Sequence, residues 1–338
     1  MRRSAEFELI AAIRERLGIG AERECRTGAR RVIGIGDDAA VTVPAGATAT
    51  SIDALVEGVH FERSWAPPEA IGHKALAAAL SDLAAMGAGP GEAYVWLGCP
   101  DDLDRAAVLA ICDGLADCAR QTGVAVLGGD LTAAPLLALS VTVVGHAATA
   151  SELVGRTGAA PGEIVCLTGS LGAAAAGLIA LQTPQHLAAL APAEREALIG
   201  RQLRPTPLLT AGSALARLGA TAMIDISDGL GADAEQLAAA SDVALEIETE
   251  RLPLAPGVSR VAESCKLDPI ELALGGEDYE LLCSLPQERL IEAEAALADL
   301  GSPLAAVGVV AGGRGVRLRL PGGDLAAAGG YDQLRAGQ

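Results

Sequence analysis

The chain of 338 residues reads as a two-domain protein, α+β in its first half and α/β in its second. Its length is about twice that of an ordinary domain. Helix-period and strand-period patterns alternate from end to end. One turn-rich segment, AATASELVGRTGAAPGE at 147–163, interrupts them, and after it the order strand, glycine turn, helix begins afresh. Domains are therefore expected over residues 1–148 and 149–338.

In the first half, apolar residues recur every three or four positions over Glu6 to Leu17, Pro68 to Met86 and Leu103 to Thr122, which predicts three helices. Between them the β-prone runs RVIGI, AVTV, ATATSID, AYVWLG, VAVLGG and LLALSVTVVG predict strands, the last with one buried and one exposed face. The second half reads as strand EIVCLTG, a helix to about Gln182, a helix around Ala193 to Ile199, a turn at LRPTP and a helix to Leu218. Strand TAMID, a helix from Asp228, strand VALEIE, a helix near Pro269, strand YELLCSL, a helix from Gln287 and two short strands complete it.

Composition narrows the function. Apolar residues at 51% and charged residues at 20% match globular proteins, so a core forms and disorder is excluded. Aromatics at 2% leave that core to Ala, Leu, Val and Ile and argue against a base-stacking surface. A net charge of −18 repels nucleic acids and anionic membranes. Seven scattered cysteines without a CxxC pair indicate neither a disulfide framework nor a zinc ribbon, and suit a reducing cytoplasm. Glu6, Glu8, Arg14 and Glu15 stand where a signal peptide needs an apolar run. Residues Ile164 to Ala193 carry no charge, yet Thr168, Ser170, Gln182, Pro184 and His186 and a strand–loop–helix pattern speak against a membrane span.

Familiar active-site patterns are absent. With two lysines, neither in a GxxxxGK[ST] setting, no P-loop exists, and HExxH, GxSxG, HRD and DFG are missing. The run Gly34-Ile35-Gly36-Asp37-Asp38-Ala39 fits a permissive dinucleotide fingerprint, but two carboxylates would meet the pyrophosphate and β-prone AVTVPAG follows where a helix should start.

What remains is a series of carboxylates: Asp37 and Asp38, Asp53, Asp82, Asp130, Asp225 and Asp228, Glu277 and Asp278. An aspartate beside glycine is commonly a turn or cap residue. Placed at strand ends, however, these side chains would gather at one sheet edge and repel unless divalent cations neutralised them. Oxygen ligands favour Mg²⁺, which is held by one or two carboxylates plus substrate phosphates. The set suggests a phosphoryl-transfer site for Mg²⁺ and ATP without a P-loop lysine. Arg156 either adds positive charge there or is a solvated linker residue.

The ordered motifs EFELI, GIGDDAAV, SIDALVEGVHF, HKALAAALSDLAAMGA, GGDLT, RTGAAPGE, MIDISDGL, GGEDYEL and GYDQL cover nearly the whole chain and resemble the thiamine-monophosphate kinase family. That family is related to aminoimidazole-ribonucleotide synthetase and selenophosphate synthetase. The resemblance implies a homodimer whose N-terminal strands form a barrel at the interface, with ATP bound between domains. It implies Mg²⁺-linked positions at Asp38, Ser51, Ile52, Asp53, Asp82, Asp130, Asp225 and Asp228, with Ile52 serving through its carbonyl. It implies ATP contacts at Gly129, Asp130, Arg156 and Ser227, and thiamine monophosphate contacts at His60, Glu277 and Tyr331. Ile52, Ala79 and Leu131 depart from the family's usual Thr, Asn and Thr.

The implied reaction is phosphorylation of thiamine monophosphate to thiamine diphosphate. A phosphate monoester is largely deprotonated at pH 7, its second pKa being about 6, so direct in-line attack needs no nucleophilic side chain. Selenophosphate synthetase would carry a reactive Cys with a nearby lysine, whereas Cys25 precedes Arg26. The hydrogenase-maturation relatives use a C-terminal cysteine, and this chain ends in AGQ. A non-catalytic nucleotide-binding regulator would have no use for a thiamine pocket.

Overall fold

The computed structural model describes residues 4–17, 30–35, 39–187, 190–320 and 323–326. Two compact units are formed, one of residues 1–83 with 88–150 and one of 84–87 with 151–338.

The first unit contains α1 (Ser4–Leu17), β1 (Arg30–Ile33), β2 (Val41–Val43), β3 (Ala47–Val56), α2 (Pro68–Ala85), β4 (Gly89–Cys99), α3 (Arg105–Thr122), β5 (Ala125–Ala133) and β6 (Ala138–Ala147). β1 and β2 pair with each other, and the other strands form a sheet of order β3-β6-β4-β5. Only β4 and β5 run parallel, because α3 crosses between them. The Asp104 side chain caps the start of α3 by accepting from Ala107 N at 2.8 Å, and Gly123 ends it with φ 80°.

A core almost without aromatic side chains needs close backbone approaches, and α2 and α3 make one. A Cβ on Gly72 would stand 2.0 Å from the Ile111 carbonyl oxygen, and a Cβ on Gly114 1.9 Å from that of Glu69. The two helices thus meet main chain to main chain, with Leu76, Leu80, Leu83, Ile111 and Leu115 buried.

The second unit contains β7 (Ile164–Thr168), α4 (Ala173–Gln182), α5 (Pro192–Leu203), α6 (Leu209–Arg217), β8 (Ala222–Asp225), α7 (Leu230–Ser241) and β9 (Ala244–Glu248). It continues with α8 (Val258–Cys265), α9 (Pro269–Ala273), β10 (Leu281–Leu285), α10 (Leu290–Asp299), β11 (Leu304–Ala311), β12 (Gly315–Leu320) and β13 (Gly323–Ala326). The sheet order is β13-β12-β9-β11-β7-β10-β8. Its core joins Leu167, Ile224, Ile226, Leu237, Ile247 and Val307, and a second cluster sets α4 against α5 and α8 through Ala176, Leu198 and Val261.

The second sheet is largely antiparallel, with β12 and β9 pairing in parallel among its described strands. Two details differ from the sequence reading. The helix α8 was not anticipated, being eight residues long and shorter than the window over which periodicity is decisive. The C-terminal part forms three strands instead of two.

The α2–α3 contact generates the first prediction. Gly114→Ala should cost about 2–3 kcal/mol by overpacking against the Glu69 carbonyl, lowering the melting temperature. Gly200→Ala in α5, where a Cβ meets open space, should stabilise by about 0.5–1 kcal/mol. Equal melting temperatures for the two variants would contradict the main-chain contact.

Candidate functional site

Strand alternation divides the polar residues of the first unit between two faces. Ser51, Asp53 and Leu55 share one face of β3, in register with buried Val143, Val141 and Leu139 of β6. Asp82 reaches this face from α2, and the Ser51 hydroxyl donates to Asp82 Oδ2 at 2.5 Å. Asp53 Oδ1 accepts from Ala54 N at 2.7 Å. Ile52, 68% exposed, turns its side chain to the other face of β3.

After β3 the chain turns tightly: Gly58 N donates to Phe61 O and His60 N to Val56 O, each at 2.9 Å. Val56 N in turn donates to His60 Nδ1 at 3.0 Å. Since Nδ1 accepts, the imidazole proton resides on Nε2, which makes His60 a ready donor to an anion.

Asp130 is placed differently. It pairs with Trp96, which pairs with Ser140, which pairs with Ala54, whereas Asp53 belongs to the row of Val141, Val95 and Gly129. Asp53 and Asp130 therefore occupy opposite faces and the two outer strands, three strand spacings or about 14 Å apart. The expectation that strand-end carboxylates gather at one edge is corrected here, because both lie within their strands. Thr132 Oγ1 donates to Asp130 Oδ2 and accepts from Trp96 Nε1, both at 3.2 Å. On the other face of β4 and β5, under α1 and α3, a cavity of about 160 Å³ is lined by Ile10, Ile13, Leu97, Leu115, Gly129 and Leu131. Gly129 is obligatory, since a Cβ would stand 2.2 Å from the Val95 carbonyl oxygen.

In the second unit, β8 delivers Asp225 and runs into Ser227, Asp228 and Gly229 before α7 begins. This turn is stitched to the GGEDYE segment by backbone bonds from Glu277 N to Ser227 O (2.8 Å), Tyr279 N to Ile226 O (2.9 Å) and Ile226 N to Glu280 O (2.7 Å). Glu277 and Tyr279 have φ of 67° and 51°, each costing about 1–3 kcal/mol and held by these fixed contacts. Glu277 Oε2 accepts from buried Gln202 Nε2 at 2.7 Å. Arg156 donates to Gln236 Oε1 at 2.5 Å, and its charge partly offsets the burial that raises the pKa of Asp228.

Buried carboxylates hold the second-unit loops. Asp278 accepts from Gly172 N at 2.7 Å and Ala174 N at 3.0 Å, at the start of α4. Arg201 donates to the Asp278 carbonyl and to Glu280 Oε1, while Thr168 donates to Glu280 Oε2. Burial pushes Asp278 up to about 7 against its amide bonds and Arg201, and raises Glu280 in spite of Arg201. Burial, then Asp225 and Asp228, push Asp233 up to about 7.

Asp38 and Tyr331 lie outside the described residues. Gln202, Arg201 and Asp233 were missed by sequence reasoning; the sole signal for Asp233 was an acid in the first turn of α7. Ser51, Asp53 and Asp82 in the first unit, and Asp225 and Asp228 in the second, offer hard oxygens of the kind Mg²⁺ takes. Among the described residues no group of three His, Cys, Asp or Glu side chains stands ready to hold a metal. No helix among them is long and apolar enough to cross a membrane, and the described cysteines form no disulfide with one another.

Comparison with known proteins gives a coherent result. The family model for the N-terminal domain of AIR synthase related protein matches residues 36–147, and that for the C-terminal domain matches 160–321. The thiamine-monophosphate kinase of Escherichia coli K12 is 37% identical over 305 residues, which is 90% of this chain and 89% of that protein. The crystal structure of thiamine-monophosphate kinase from Stenotrophomonas maltophilia K279a is 35% identical with a TM-score of 0.81, covering 96% of this chain and 98% of that one. A structure described as AaThiL complexed with AMPPCP and TMP is 32% identical with a TM-score of 0.73, covering 97% and 98%.

The raised carboxylates set the pH dependence of the second unit. A folded Asp278 near 7 against about 3.9 unfolded means that the folded state binds more protons between those values, so stability falls as pH rises from about 4 through 7. Asp228, Asp233 and Glu280 are raised too and act in the same direction. The melting temperature at pH 5.5 should exceed that at pH 7.5 by about 4 °C, and Asp278→Asn should reduce the difference. A melting temperature that rises over this interval would refute the assignment.

Proposed function

The chain belongs to the thiamine-monophosphate kinases of the AIR synthase related family, and on that premise we propose that it transfers the γ-phosphoryl group of ATP to thiamine monophosphate, giving ADP and thiamine diphosphate. The observation that carries the reading is the likeness, over 97% of the chain, to the enzyme solved with AMPPCP and TMP. The oxygen donors of both units agree with it in chemistry.

Each unit has its part. In the first, Asp53 and Asp82, with Ser51 and the Ile52 carbonyl, hold Mg²⁺, and Asp38 joins them. The cavity beside Gly129 and Asp130 receives the base of ATP, its apolar walls suiting a flat heteroaromatic ring. His60 donates from Nε2 to the phosphate of thiamine monophosphate. In the second unit, Asp225 and Asp228 offer oxygen ligands to cations, and Arg156 and Ser227 contact the nucleotide phosphates. Glu277, oriented by Gln202, and Tyr331 hold the cationic thiamine. Bound Mg²⁺ offsets the repulsion between two polyanions and the charge that spreads over the transferring group. The acceptor oxygen is already deprotonated, so the protein positions the reactants and excludes water, and no side chain acts as a nucleophile. Seven scattered cysteines without a CxxC pair suit a reducing cytoplasm.

The protein acts as a homodimer. β3 and β5 are the two outer strands of the first sheet, and the face carrying Ile52 and Trp96 is exposed. Two sheets joined β3 to β5 at both seams would close a barrel, remove the open edges and bury that face. The same pairing would set β5 of one copy, with Asp130, beside β3 of the other, with Asp53, which removes the three-strand spacing between them while each stays on its own face of the wall.

Three results are expected. ADP formation by the purified protein should require both thiamine monophosphate and Mg²⁺; no stimulation by thiamine monophosphate would sink the proposal. Asp53→Asn should lower kcat by about 10²–10³ with the melting temperature unchanged or higher. Equimolar refolding of Asp53→Asn with Asp130→Asn chains should restore about a quarter of wild-type activity if the two residues act across the dimer, since half the molecules pair unlike chains and each then keeps one intact site. No restoration would place both residues in the same subunit's site.

A further inference from the structure

The turn between β8 and α7 has the outline of a phosphate site: a strand ends, a glycine follows and a helix begins. Its amides are already engaged. The N–H groups of Ser227, Asp228 and Gly229 each donate to Asp233 Oδ2 at 3.0 Å. Successive main-chain donors converging on one point form an anion nest, and here the anion comes from the fourth residue of α7 itself. Asp233 is 2% exposed.

The carbonyl side of the turn is fixed as firmly. Ser227 O accepts from Glu277 N, and Gly276 stands so near that a Cβ would fall 2.3 Å from that oxygen. Gly229, at φ 110°, would bring a Cβ within 2.1 Å of the Leu274 carbonyl oxygen. Further along α7, Gln236 holds the Arg156 guanidinium, and the Ser241 hydroxyl donates to Arg156 O while accepting from Gly158 N and Ala159 N. One helix therefore supports Ser227 and Asp228 at its start and Arg156 along its length.

We propose that Asp233 is a positioning residue whose carboxylate fills this nest from within, so that Ser227 and Asp228 meet the nucleotide and its cations through side chains and not through main-chain N–H groups. This rests on the nucleotide and cation roles given above to Ser227 and Asp228. A buried carboxylate beside Asp225 and Asp228 is repelled by both, and the three converging amides and the positive end of α7 are what retain it. All three bonds use a single oxygen. An asparagine can present such an oxygen at the same point, whereas alanine leaves the amides without an acceptor.

The test uses the full-length protein with Asp233→Asn and Asp233→Ala, measuring kcat, KM for thiamine monophosphate, calorimetric affinity for Mg²⁺ with ATP, and melting temperature. Asp233→Ala should lower kcat about 30–100-fold and weaken binding of ATP with Mg²⁺ about tenfold, with KM for thiamine monophosphate within about twofold. Formate, small enough to refill the nest, should restore part of both losses. Asp233→Asn should stay within about threefold of wild type in binding. Should the alanine variant fail to fold, Asp233→Ser, whose hydroxyl is too short to reach the amides, takes its place. Asparagine as damaging as alanine, without formate rescue, would overturn the proposal in favour of direct cation ligation. Variants that change only the melting temperature would overturn it in favour of a purely structural cap. A wild-type protein that fails to bind ATP with Mg²⁺ would refute the functional reading instead.

Discussion

A carboxylate survives inside a protein only where donors meet it, and the loops of the second unit are organised by that requirement. Asp278 lies on the amides that open α4, Glu280 between Arg201 and Thr168, and Asp233 on the amides that precede α7. Each bond fixes a stretch of backbone as well as satisfying a charge. The Ser227 turn and the Glu277 segment consequently define one another, and the left-handed backbone at Glu277 and Tyr279 is sustained by neighbours that leave it no alternative. Asp278 ties the loop to the start of α4 while Gln202 orients Glu277.

The first unit solves a different problem with different means. Asp53, Asp82 and Asp130 are partly or wholly exposed, and its rigidity comes from helices packed at glycine and from a sheet in which each polar residue is assigned to one face. Small residues permit the α2–α3 approach that a core rich in Phe or Trp would prevent. Asp82 is thereby delivered to Ser51, and β3 presents Asp53 two residues further along the same face. With a net charge of −18, the chain offers few cations of its own to a polyphosphate, which makes divalent ions the natural counter-charge.

The sequence by itself determined a good deal. Strand and helix periodicities located nearly every element, because apolar spacing reports the face an element buries whatever it packs against. Residue chemistry identified a carboxylate set suited to Mg²⁺ and excluded P-loop, zincin and kinase-loop sites, and the ordered motifs placed the chain in its family. What only the tertiary structure decided is the grouping of those residues. That Asp53 and Asp130 stand on opposite faces of two outer strands follows from strand order and register, which depend on contacts distant in sequence. Asp233, Gln202 and Arg201 were illegible for the same reason: each is an ordinary polar helix residue until folding brings to it the loop whose free amides, carbonyl or carboxylate it completes.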